Sequence, residues 1–302
     1  MSQPDEPPIG RHPLLDWPRP LAFALSGGGA FGSGHVGMVR ALADHGILPD
    51  LVVGTSVGSL NGALVANDPH RAPELLAEIW ATMDRRALFG HGWFRAAANL
   101  ARHRTVSRLD GLEALIERSL VARRFEDLAL PFAAVATDAV SGEPELLRSG
   151  SLKQALMASS SVPGVFPSVV IDGRPYIDGG VSANLPIRQA IAFGARSVVA
   201  LDASPQPPPE PPKGVSAAAF HVATMMVRNQ RAHAVDDIAS RYPVLVLPSV
   251  TPHDIGSFNF RLTASLIEQS HERSSAVLAT LRDTDTDTDT DTDTVDAGET
   301  AP

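Results

Sequence analysis

Short uninterrupted apolar runs alternate along this chain with longer stretches in which apolar residues recur at helical spacing. Leu21-Ala-Phe-Ala-Leu25 reads as a strand, followed by a glycine-rich turn and a helix from about Gly34 to His45. Leu51-Val-Val53 reads as a second strand, followed by the turn Gly54-Thr-Ser-Val-Gly58 and a helix through Leu60 to Ala66. Pro131-Phe-Ala-Ala-Val-Ala136, Ser197-Val-Val-Ala-Leu201 and Val244-Leu-Val-Leu247 are three further strand candidates. Strands that are apolar on both faces and separated by helical patterns predict an α/β fold, with a mainly parallel central sheet covered by helices on both faces.

Pro205 to Gly214 holds six prolines in ten residues, which predicts an extended surface loop. Helical patterns resume from about Val215 to Ser240 and from Arg261 to Leu281, so the loop is expected to join parts of one domain. The division that results is an extension over 1–20, a single domain over 21–282 and a tail over 283–302. The extension is charged and proline-rich and has no apolar core of a signal peptide. The apolar runs fall far short of the roughly 18 to 20 residues needed to cross a bilayer. Together these predict a soluble, cytoplasmic protein.

Composition changes this picture in two places. The 302-residue chain has no cysteine, which removes disulfides, thiolate metal sites and thiol catalysis. Its net charge of -9 is nearly all in the tail, where an Asp-Thr alternation from Asp283 to Thr294 contributes to seven aspartates and one glutamate with no basic residue. Like charges at every second position cannot repay the entropy of ordering, so the tail is predicted to be disordered. Carboxylates are calcium ligands in general, but this repeat lacks the glycine turns that pre-place them. The rest is close to neutral, without the basic field expected of a nucleic-acid binder.

Three glycine-rich turns carry the candidate chemistry. Gly54-Thr55-Ser56-Val57-Gly58 is a G-x-S-x-G pentapeptide between strand and helix; the glycines allow a tight bend, and the serine hydroxyl projects at a helix N-terminus where developing negative charge is favoured. Gly27-Gly28-Gly29-Ala30-Phe31-Gly32 also opens a helix from a strand, and its amides suit a phosphate or an oxyanion. It matches G-x-G-x-x-G, yet a dinucleotide fold would need an acidic residue at the end of the second strand, where Gly54-Thr55-Ser56 stands instead. Tyr176-Ile177-Asp178-Gly179-Gly180 places a carboxylate among glycines, followed by Asn184-Leu185-Pro186. An aspartate in reach of a serine serves as its base if partial burial lifts its pKa.

In this order the three turns resemble the patatin-like phospholipase family. The similarity extends through Ala136-Thr137-Asp138 and Ser159-Ser-Ser-Val-Pro-Gly-Val-Phe-Pro167, and covers roughly Leu21 to Asp202. The resemblance implies a three-layer sandwich and a serine–aspartate dyad acyl hydrolase acting on lipid esters such as phospholipids and lysophospholipids. It implies no metal, no cofactor and no catalytic histidine. Matched motif by motif, Ser56 is implied as nucleophile, Asp178 as general base and the amides of Gly27, Gly28, Gly29 and Ala30 as oxyanion hole. Gly32, Gly54, Gly58, Gly179 and Gly180 are implied as supports. One position departs: Phe31 stands where the family usually has Arg or Lys, which leaves slower turnover, altered preference or a non-catalytic lipid-binding role as alternatives.

A histidine-dependent α/β-hydrolase would order its residues serine, acid, histidine, and His221, His233, His253 or His271 could supply the last. None follows a strand in a glycine-rich turn. His35, in the first turn of the helix after the glycine loop, reads as a packing residue. Arg85 to Arg108 holds six arginines with Leu88, Phe89, Trp93 and Phe94. That mixture suits either a flap meeting an anionic lipid surface or an ordinary amphipathic helix.

Overall fold

The computed structural model describes residues 12–83, 109–208, 214–252 and 259–289. Eight strands form one sheet: β1 Leu21–Leu25, β2 Leu51–Thr55, β3 Phe132–Asp138, β4 Pro144–Leu147, β5 Val169–Ile171, β6 Arg174–Asp178, β7 Ser197–Leu201 and β8 Val244–Leu247. Their order is β5-β6-β3-β2-β1-β7-β8, with β4 also paired to β3. The pairs among β3, β2, β1, β7 and β8 are parallel, whereas β4 and β6 pair antiparallel with β3, and β5 with β6. The sheet is thus mainly parallel with an antiparallel edge. That edge escapes the sequence pattern because β4 and β5 are only partly buried and short.

The helices are α1 Gly34–Asp44, α2 Val57–Asn67, α3 Ala72–Ala81, α4 Asp110–Ser119, α5 Leu152–Ser159, α6 Ile187–Ala192, α7 Val215–Ala239 and α8 Thr263–Asp289. Strand alternation assigns them to two layers. Leu21, Phe23 and Leu25 of β1 join a core cluster with residues of α1 to α5 and α8. Ala22 and Ala24 face the other way, into a smaller cluster with α6 and α7. Large side chains on one face and alanines on the other set a thick helical layer against a thin one.

Helix α8 ends at Asp289, seven residues inside the Asp-Thr repeat that the sequence assigns to disorder. Extending an existing helix adds one hydrogen bond per residue, and this carries the backbone past the last apolar position although aspartates oppose the dipole there. Among the described residues no helix is long and apolar enough to cross a membrane.

Candidate active site

The serine sits on a bend that only its neighbours permit. Ser56 is the N-cap of α2 with φ 55° and ψ -127°, a conformation rare for a residue with a Cβ. A Cβ on Gly54 would lie 2.2 Å from the Gly58 carbonyl oxygen, and one on Gly58 would lie 2.3 Å from the Leu25 carbonyl oxygen. Glycine at both positions is therefore a packing requirement of the strand-to-helix turn. The Ser56 N–H donates to Ser159 Oγ at 2.9 Å, and that hydroxyl donates to the Val135 carbonyl at 2.6 Å. Ser159 lies at the end of α5, in a segment for which the sequence supplied no role; its isolated Ser-Ser-Ser run carries no signal of its own.

Sheet register brings the aspartate to the serine. Thr55 aligns with Val135 on β3, and the next β3 residue, Ala136, aligns with Asp178 on β6. Ser56 and Asp178 thus stand in one row with β3 between them, and Ser56 Oγ donates to Asp178 Oδ2 at 2.6 Å. The other carboxylate oxygen accepts the Gly180 N–H at 2.7 Å. Asp178 is 5% exposed. Burial pushes its pKa up to about 6, against the downward pull of the Ser56 hydroxyl and the Gly180 amide. The backbone here is anchored from both sides, by Thr137 Oγ1 donating to the Asp178 carbonyl at 2.9 Å and Asp178 N–H donating to the Ser161 carbonyl at 2.9 Å.

The glycine loop after β1 faces the same place. Gly27, Gly28 and Gly29 line the cavity that contains Ser56 and Asp178, while Ala30 is buried and does not. The Gly27 N–H donates to the Asn184 carbonyl at 3.0 Å, so it is already used. Asn184 Nδ2 also donates to the Gly27 carbonyl at 3.4 Å and to Ser204 Oγ at 2.8 Å, tying the glycine loop to the segment after Asp178. Phe31 is 1% exposed and packs with Ala203 and Leu266, away from the cavity.

The cavity measures about 560 Å³. Beyond the polar cluster its walls are apolar, with Leu60 and Leu64 of α2, Ile79 and Trp80 of α3, Leu112 and Ile116 of α4, Phe166, Met226 of α7 and Phe260. Such a wall admits a hydrocarbon chain. No described histidine lines it. His271 pairs with Asp44 at 2.8 Å, and His233 is exposed. His35 is fully buried, where desolvation lowers its pKa to about 4. His253 and the whole of the arginine-rich stretch 85–108 lie outside the described residues. Asp50 pairs with Arg19 at 2.9 Å at the start of β2, the opposite end from a ribose-binding acid. Among the described residues no group of three or more His, Asp or Glu side chains could hold a metal ion.

The family model described as Patatin-like phospholipase matches residues 23–191, more than half of the chain. The chain is 34% identical over 187 residues to the lysophospholipase NTE1 of Mycosarcoma maydis, covering 60% of this chain and 10% of that protein. With the human patatin-like phospholipase domain-containing protein 6 it shares 33% over 191 residues, covering 62% of this chain and 13% of that one. The chain thus spans only a small fraction of the length of these curated relatives. Among solved structures it is similar to VipD from Legionella pneumophila, with TM-score 0.47 and 14% identity over 87% of this chain and 67% of that one. ExoU in its complex with SpcU from Pseudomonas aeruginosa gives TM-score 0.39 and 19% identity over 87% and 52%. On the family match across 23–191, the chain belongs to the patatin-like phospholipase family.

Proposed function

We propose that this chain is a lipid acyl hydrolase that cleaves carboxylic ester bonds through an acyl-enzyme on Ser56, with Asp178 as the general base. The observation that carries the reading is the 2.6 Å hydrogen bond from Ser56 Oγ to Asp178 Oδ2 at the polar end of an apolar cavity. As Ser56 Oγ attacks the ester carbonyl, its proton passes to Asp178 Oδ2. The tetrahedral oxyanion is met by the amides of Gly28 and Gly29 and by the N-terminus of α2. Collapse expels the alkoxide, which takes the proton from Asp178. Water then attacks the acyl-enzyme as Asp178 accepts its proton, and Ser56 is regenerated. A carboxylate whose pKa is raised to about 6 is ionised at neutral pH and is a stronger base than an ordinary aspartate.

The substrates are phospholipid or lysophospholipid esters, a class supported by the apolar wall and by the name of the fungal relative. The protein acts in the cytoplasm, at most peripherally on membranes, and segment 85–108 is the proposed lipid contact. Vesicle co-sedimentation unaffected by Trp93→Ala with Phe94→Ala would remove that contact. The alternative, a non-catalytic lipid-binding or regulatory role, rests on Phe31 alone. The test is fluorophosphonate labelling together with p-nitrophenyl ester hydrolysis. Wild type should label and turn over, Ser56→Ala should do neither, and Asp178→Asn should lose turnover. A folded wild type that neither labels nor hydrolyses overturns the assignment.

A further inference from the structure

Beneath the glycine loop lies a buried polar chain that the dyad mechanism does not use. Asn61 stands on α2 five residues after Ser56 and is 3% exposed. Its Nδ2 donates to the Gly32 carbonyl at 2.9 Å and lies 3.1 Å from His35 Nδ1, while its Oδ1 accepts Trp80 Nε1–H at 3.1 Å. His35 Nε2 lies 3.2 Å from the Leu201 carbonyl. An indole can only donate and a backbone carbonyl can only accept, so one proton arrangement satisfies every partner. Trp80 fixes which end of the Asn61 amide is oxygen. Both amide hydrogens then go to Gly32 and His35, and neutral His35 donates from Nε2 to β7.

We propose that Asn61, oriented by Trp80, is a positioning residue that holds the glycine loop so that the Gly28 and Gly29 amides meet the oxyanion. Three observations converge on it. Asn61 rides on the helix that Ser56 caps, so it fixes the loop relative to the nucleophile itself. Gly32 closes the short 3-10 turn Gly29–Ser33 that begins at the proposed donors. Trp80 and Asn61 both line the cavity, so the wall contacting the acyl chain and the loop contacting the oxyanion share one amide. The inference rests on the acyl-hydrolase reading above, and the experiment separates the two.

Esters and thionoesters of the same acyl and leaving groups would be compared in wild type, Asn61→Ala and Trp80→Phe, with folding checked by thermal melting. Sulfur accepts hydrogen bonds weakly, so the ester/thionoester rate ratio reports how well the oxyanion is met. A merely structural loss lowers both rates alike and leaves the ratio unchanged. The expectation for Asn61→Ala is a kcat for the ester lowered about ten- to hundredfold, with the ratio falling in parallel and KM little changed. Trp80→Phe keeps an aromatic ring, though a smaller one, and removes the N–H, and a fall of about three- to tenfold is expected. If Asn61→Ala does not fold, Trp80→Phe decides. A folded variant of either kind with the ratio within about twofold of wild type overturns the proposal. A wild type without labelling or turnover overturns the acyl-hydrolase reading instead, and the positioning role falls with it.

Discussion

The two halves of the sheet hold the two members of the proposed dyad by different means. On the parallel side, Ser56 is set by a five-residue turn whose glycines let three backbone segments crowd together. On the antiparallel side, Asp178 is set by register with Ala136, by Thr137 and by Ser161, contacts made across tens of residues. The serine's geometry is local and strained; the aspartate's is distant and relaxed. Damage to the first should therefore abolish chemistry without loosening the fold, whereas damage to the second should act through placement. The bridge between the halves is Ser159, which bonds the Ser56 amide on one side and the Val135 carbonyl on the other.

The sharpest break is Ser56→Ala, expected to lower kcat by about 10⁴-fold or more with the thermal melt intact. Asp178→Asn should cost about 10² to 10⁴ in kcat. It should also stabilise the protein at neutral pH, because the folded pKa of about 6 lies above the ordinary 3.8. A raised carboxyl pKa means that the folded state binds the proton more tightly. Stability linked to Asp178 is thus fully present below about pH 4 and is lost as pH rises through about 6. Denaturant melts at pH 4 and pH 8 should show this slope in wild type and not in Asp178→Asn. Turnover runs the opposite way, since the base must be ionised, so kcat/KM should fall below about pH 6. Ser159→Ala removes the bridge and should cost about tenfold in kcat, with about 1 to 3 kcal/mol of stability from the buried groups left unpaired. Thr137→Val releases the Asp178 carbonyl and the Ser182 hydroxyl, and an effect of about threefold on kcat is expected. If Thr137→Val costs more than Ser159→Ala, the placement of the aspartate rather than the bridge is the weaker point.

The same contrast explains what could be read from the residues alone. β1, β2, β3 and β7 announce themselves because parallel strands buried on both faces are continuous apolar runs, and β8, though only partly buried, is a run of the same kind. The turns after β1 and β2 carry glycines whose purpose is steric, and this is visible as composition. The antiparallel edge is not legible. Arg174–Asp178 alternates exposure with a proline inside it, and Val169–Ile171 spans only three residues. Asp178 was found through its glycine neighbours, but nothing in those letters places it beside Ser56; only the β3–β6 register does. Asn61 and Ser159 were missed for the same reason. Each is an ordinary polar residue on a helix until its distant carbonyl partner is known.

The backward-bent backbone at Ser56 has an evolutionary side. A side chain at φ 55° and ψ -127° costs about 1 to 3 kcal/mol, and glycine adopts the same angles freely. Selection for heat resistance alone would therefore reward loss of the proposed nucleophile. A library of variants ranked by survival at high temperature should enrich Ser56→Gly, and only a second sieve for ester turnover would keep the serine. The persistence of so uncomfortable a residue in a chain free to shed it would itself be a record of selection for catalysis.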